Sequence, residues 1–132
     1  MNEEKYYNLS KEFFNNIDLK IDYAYLFGSV LKRLLPDSDI DILIQGDITV
    51  DQQLEMMGHL EQIFKRKTDI VLVDKASCDI VLRAMSTGKI ILMNNKEKFK
   101  QDYFKNFWQY DDNTNLRRII ENKIKEKYSN GG

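Results

Sequence analysis

One cysteine, one proline, one histidine and one tryptophan are all that 132 residues contain of these types. A single Cys78 has no partner for an internal disulfide, so nothing points to an oxidising compartment. No apolar run reaches the roughly 20 residues of a membrane-spanning helix. The first residues, Met1-Asn-Glu-Glu-Lys5, are acidic and polar, unlike a secretory signal. The formal net charge is −1, which leaves no global field to draw in nucleic acid, and no direct nucleic-acid binding is expected. A cytoplasmic location with no membrane contact is the expectation. There is no repeat, linker or low-complexity tract, and the length fits one domain around one core.

What is present is an ordinary globular composition, 42% hydrophobic and 31% charged. The charge is unevenly spread. Residues 1–95 carry 11 Lys/Arg and 15 Asp/Glu, whereas residues 96–132 carry 9 and 6. A weakly acidic body therefore precedes a basic tail, which suits a solvated helix or a partner surface.

Periodicity orders the chain as α-β-α-β-α-β-α-β-α. A first helix covers 3–16 and a strand runs from Asp22 to Phe27. Ser29 caps a short helix reaching about Leu35, where Pro36 stops it. Asp39 to Gln45 is a strand with Ile40, Ile42 and Ile44 on one face. Asp51 to Phe64 is an amphipathic helix turning Leu54, Met57, Leu60, Ile63 and Phe64 inward, and Asp69 to Val73 is a third strand. Ser77 caps a helix over Cys78–Thr87 that Gly88 ends, and Lys89 to Met93 is a fourth strand. From Asn94 or Asn95 the chain is helical, with a break expected near Asp111-Asp112-Asn113. Gly131 and Gly132 are expected to fray. This is one α/β (α+β) domain: a core over about 20–94 and a C-terminal helical segment over about 95–128.

The chemistry concentrates between Tyr25 and Ile44. Gly28-Ser29 closes an apolar strand and opens a helix. Glycine admits close approach of a ligand, and a helix start offers free N–H groups to a phosphate. Nine residues later comes Asp39-Ile40-Asp41. Side chains alternate along a strand, so the two carboxylates project together. They repel unless a cation lies between them, and magnesium is the hard divalent ion expected with phosphate ligands. Asp69, after the basic run Lys65-Arg66-Lys67, adds a third carboxylate able to take a proton from an attacking hydroxyl. Lys32 and Arg33 follow the turn and are candidates to meet a triphosphate. His59 lacks a partner motif and is read as a surface or core-edge residue. Trp108, Phe104 and Phe107 read as core, or as a partner surface if exposed.

Gly28-Ser29-x9-Asp39-Ile40-Asp41 between apolar strands resembles the polymerase-beta-type nucleotidyltransferases. Pro36 to Ile44 is similar to the minimal nucleotidyltransferases (MNT) in particular. Thr68-Asp69-Ile70-Val71-Leu72-Val73 looks like the family's third-carboxylate strand, and Ala76–Leu92 like its next helix and edge strand. Phe99–Tyr110 resembles the aromatic C-terminal helix of antitoxins in HEPN–MNT toxin–antitoxin pairs. Two departures stand out. Arg33 takes the place of the second glycine in the family's Gly-Ser-x-x-x-Gly pattern, and the spacer to Asp39 is a residue shorter than in many antitoxins.

The resemblance implies a polymerase-beta-like domain, a small mixed sheet flanked by helices. Asp39 and Asp41 would bind two Mg2+ ions and Asp69 would complete the metal and catalytic site. Gly28, Ser29, Lys32 and Arg33 would hold the nucleotide. The reaction would move AMP from ATP to a hydroxyl, most simply a tyrosine of a HEPN toxin. Two alternatives remain open: a nucleotidyltransferase acting on a small molecule, as the aminoglycoside-modifying enzymes do, and an antitoxin that neutralises its partner by binding alone.

Overall fold

The computed structural model describes residues Asn2 to Asn130. Helix α1 spans Glu3–Asn16 and opens on Asn2, whose side chain accepts from the Lys5 amide. Strand β1 spans Ile21–Phe27, β2 Ile40–Gly46, β3 Thr68–Leu72 and β4 Lys89–Met93. Helix α2 covers Val50–Phe64 and α3 covers Cys78–Thr87. Helix α4 runs without interruption over Lys96–Asn130. Gly131 and Gly132 lie outside the described residues.

The sheet order is β3-β2-β1-β4. Strand β1 is antiparallel to both neighbours, and β2 and β3 are parallel, joined by the α2 crossover. The sheet is therefore mixed, as expected. Alternation divides its side chains into two cores. Ala24, Leu26, Ile40, Ile42, Ile44 and Ile70 meet Tyr6 and Phe14 of α1 and Met56, Leu60 and Phe64 of α2. Tyr23, Tyr25, Phe27 and Leu43 meet Val81, Ala84 and Met85 of α3, with Phe99 and Tyr103 of α4 packed alongside. Thr49 starts α2 with a full capping box, exchanging hydrogen bonds with Gln52.

Several local expectations change. The inward face of α2 is Met56, Leu60 and Phe64, while Leu54 and Ile63 are exposed. The stretch after Ser29 is one 3-10 turn, Gly28–Leu31, and not a helix to Leu35. Ser77 holds the N-cap position of α3 without a side-chain cap bond. Gly88 is demanded by packing: its φ is −81°, but a Cβ would press on the Ala84 and Leu26 carbonyls. The break near Asp111 is absent because no glycine or proline interrupts α4. Two aspartates and an asparagine cost a helix only about 0.5 kcal/mol each. The Thr114 hydroxyl bonds back to the Tyr110 carbonyl at 2.9 Å within the same helix.

Candidate active site

Strand register brings the carboxylates together. Asp41 pairs with Phe27 on one side and with Asp69 on the other. Adjacent strands lie about 4.8 Å apart, so Asp41 and Asp69 stand side by side on one face of the sheet. Their strands share that register because α2 returns the chain parallel to β2. Asp39 sits just before β2, not within it, and its charge acts on Asp41. The Asp41 carboxyl is pushed up to about 6, first by burial and then by the neighbouring charges of Asp69 and Asp39. Asp39 and Asp41 are half-buried and Asp69 is exposed, leaving the cluster open to a substrate.

Gly28 ends β1 at φ +86°. A Cβ there would collide with the Asp41 carboxylate. Glycine is thus required twice, by its backbone conformation and by the acid behind it. Ser29 is half-buried beside it. The four-residue turn offers a phosphate no helix dipole, because only summed peptide dipoles act as a terminal charge. Lys32 and Arg33 follow the turn, their amides bonded to the Ser29 carbonyl at 3.1 and 2.9 Å, and both side chains are exposed. The structure gathers Asp39, Asp41, Asp69 and Gly28. It leaves Lys32 and Arg33 on the surface.

The donor set suits a hard cation. Carboxylate oxygens at an open strand end leave room for water and phosphate, which magnesium keeps in its shell. His59 is exposed on α2, on the other side of the sheet, and Cys78 opens α3. Among the described residues no three His, Cys, Asp or Glu side chains form a ready-made metal cage. A metal here would rely on the aspartates together with substrate oxygens. An apolar groove of 640 Å³ between α1 and α2, rimmed by Glu12, Glu55 and His59, lies away from the carboxylates.

A polar cluster escaped sequence reading. Asp102 of α4, 4% exposed, accepts from the Tyr23 hydroxyl at 2.7 Å and from Gln45 Nε2 at 2.9 Å. Lys98 pairs with its other oxygen at 3.0 Å, and Gln45 also donates to Asp74 at 3.1 Å. These bonds fasten α4 to the sheet face that carries Asp41 and Asp69. Burial and the Asp102 carboxylate hold the Tyr23 hydroxyl far above its ordinary range. The available signal was a polar residue, Gln45, directly after the apolar run Ile42-Leu43-Ile44.

The family model for polymerase beta nucleotidyltransferases matches residues 8–97. The chain belongs to this nucleotidyltransferase family. Among curated proteins none matches the sequence. Several solved structures similar to this nucleotidyltransferase are toxin–antitoxin complexes. A chain of one determined with AMP-PNP superposes with a TM-score of 0.70 at 23% identity, covering 94% of this chain and 98% of that one. A chain of the MntA–HepT complex gives 0.64 at 22% identity, covering 93% and 96%. A complex of tri-AMPylated Shewanella oneidensis HEPN toxin with its MNT antitoxin gives 0.66 at 20% identity, covering 89% and 98%. At these identities the likeness is one of fold, and that fold is the polymerase-beta-like nucleotidyltransferase. No described helix is long and apolar enough to cross a membrane.

Proposed function

We propose that this nucleotidyltransferase moves AMP from ATP onto a hydroxyl of a protein partner, a tyrosine of a cognate HEPN toxin, and thereby acts as an antitoxin in the cytoplasm. The observation that carries the reading is the in-register pairing of Asp41 with Asp69 beside Gly28. The fold likeness to MNT–HEPN complexes, one with its toxin AMPylated, supports the choice of partner. So do the exposed aromatics Phe104, Phe107, Trp108 and Tyr110 on α4, large apolar side chains left in solvent on one helix.

Asp39 and Asp41 would hold the nucleotide-associated magnesium, two ions in all, with Asp69 completing the set. Magnesium bound there would neutralise charge on the triphosphate and on the attacking and leaving oxygens. Gly28 and Ser29 line the triphosphate, and Lys32 and Arg33 can swing to it from the surface. Asp69, the most exposed of the three acids, takes the proton of the acceptor hydroxyl. The hydroxyl oxygen bonds to the α-phosphorus as the bond to pyrophosphate breaks. Positioning and charge neutralisation carry most of the rate in such a transfer.

The test is labelled ATP with magnesium and a co-expressed HEPN partner. Label should appear on the partner and vanish with Asp39→Ala/Asp41→Ala. Neutralisation that persists in the double variant, with no label transferred by the wild type, would favour an antitoxin acting by contact.

A further inference from the structure

The chain between the 3-10 turn and β2 has no regular structure, and Leu35, Pro36 and Asp37 are exposed. It ends in Asp39. One residue grips it from outside. Arg66 lies in the connection between α2 and β3, three positions before Asp69. Its Nη1 donates toward three carbonyls of this loop, Leu35 at 2.7 Å, Ser38 at 2.9 Å and Pro36 at 3.2 Å. The Ser38 carbonyl belongs to the peptide that precedes Asp39. Its Nε donates to the Tyr6 hydroxyl of α1 at 2.8 Å, with the guanidinium carbon 5.7 Å from that ring. Tyr6 is fixed in turn by an edge-on contact with Phe64 at 5.5 Å.

The loop is already folded on itself, for Ser38 Oγ accepts from the Leu35 amide at 3.0 Å and the Ser38 amide donates to the Leu35 carbonyl at 3.1 Å. Immediately beyond it, the Ile40 amide donates to the Lys67 carbonyl at 2.9 Å, the first rung between β2 and the strand of Asp69. Arg66 therefore ties three segments at one point: the backbone entering Asp39, the backbone entering Asp69, and α1. Only a guanidinium does this. Its planar fork presents several donors in fixed directions, whereas a lysine ammonium offers one mobile point.

We infer that Arg66 is a positioning residue for the carboxylate site: by clamping the Leu35–Ser38 loop it fixes where Asp39 stands relative to Asp41 and Asp69, and so sets the affinity of the site for its divalent cation. The inference rests on the metal-dependent reading above. Its consequence is specific. The clamped Leu35–Asp37 stretch is exposed and the Tyr6 ring keeps its contact with Phe64, so the loss falls on cation binding more than on folding.

The experiment is a titration of the purified chain with Mn2+ alone, followed by electron paramagnetic resonance, on the wild type, Arg66→Lys, Arg66→Gln, Asp39→Asn and Thr49→Ala. Thr49→Ala removes the α2 cap and serves as a remote destabilised control. Wild type and Thr49→Ala should bind alike. Arg66→Gln should bind about tenfold more weakly, which corresponds to about 1.4 kcal/mol, and Arg66→Lys should fall between the two. In the transfer assay the magnesium concentration for half-maximal rate should rise in step, while KM for ATP at saturating magnesium stays within about twofold. Arg66 variants that bind Mn2+ like wild type overturn the inference, as does equal weakening in Thr49→Ala or full rescue by Arg66→Lys. A wild type that binds no Mn2+ overturns the metal reading itself. Binding that follows the expected order without any transfer sinks only the proposed reaction.

Discussion

The Asp41 carboxylate fills the space that a side chain at residue 28 would need. Gly28 at φ +86° and Asp41 are thus one steric unit, joining the turn beside the site to one of its half-buried acids. Gly28→Ala should destabilise the fold by about 1–3 kcal/mol, the cost of holding a side chain in a sparsely populated backbone region. By displacing Asp41 it should also lower the proposed AMP transfer by about 100-fold. Urea unfolding and labelled transfer check the two effects. Gly58→Ala is the contrast. Gly58 sits inside α2 with nothing near its missing Cβ, so alanine there should stabilise by about 0.5–1 kcal/mol without touching activity.

The pH dependence of stability follows from Asp41. Its carboxyl is raised to about 6 in the fold, above an ordinary value of about 3.9. The folded state binds this proton more tightly than the unfolded state. The contribution is therefore complete below pH about 4 and is lost as pH rises through about 6. The acid is half-buried, so solvent screening reduces the effect to about 1 kcal/mol. In magnesium-free buffer Asp41→Asn should melt about 2–5 °C higher than wild type at pH 7.5 and alike at pH 4. A wild-type-minus-variant difference that does not grow between these pH values contradicts the assignment.

Asp102 should be worth more to the fold than its place on a long surface helix suggests. Asp102→Ala strands the Tyr23 hydroxyl in the interior, leaves the Gln45 amide only its bond to Asp74, and should cost about 3 kcal/mol. Lys98→Ala leaves both bonds in place and should cost about 1 kcal/mol, since the lysine is partly exposed. Guanidinium denaturation of both variants measures the ratio. Equal costs would mean that the ion pair, and not the buried bonds, fastens α4.

Phe104 and Trp108 are 58% and 59% exposed, so replacing both with serine should change stability by less than about 0.5 kcal/mol. If α4 docks the HEPN partner, the same pair of changes should weaken the complex by about 2 kcal/mol or more, roughly 30-fold in Kd. Calorimetric titration against the purified partner reads this directly. Unchanged affinity would move the docking surface elsewhere on the chain.

The order of elements, the two strands that carry carboxylates, and the family are legible in the amino-acid sequence. Those are local properties. Alternation at Ile40, Ile42 and Ile44, the turn at Gly28-Ser29 and the apolar period of the helices are all written in neighbouring residues. Tertiary structure alone decided the rest. Asp41 meets Asp69 because a crossover sets parallel register between residues far apart in the chain. The turn after Gly28 stops at Leu31 and the following loop is held by Arg66, whose partners lie about thirty and sixty positions away. Asp102 looks like a surface residue in any local window, and it is buried against Gln45 and Tyr23 only when α4 lies on β1 and β2. Apolar periodicity marks where side chains must avoid water, but it carries no record of which distant polar groups will satisfy one another once they are enclosed.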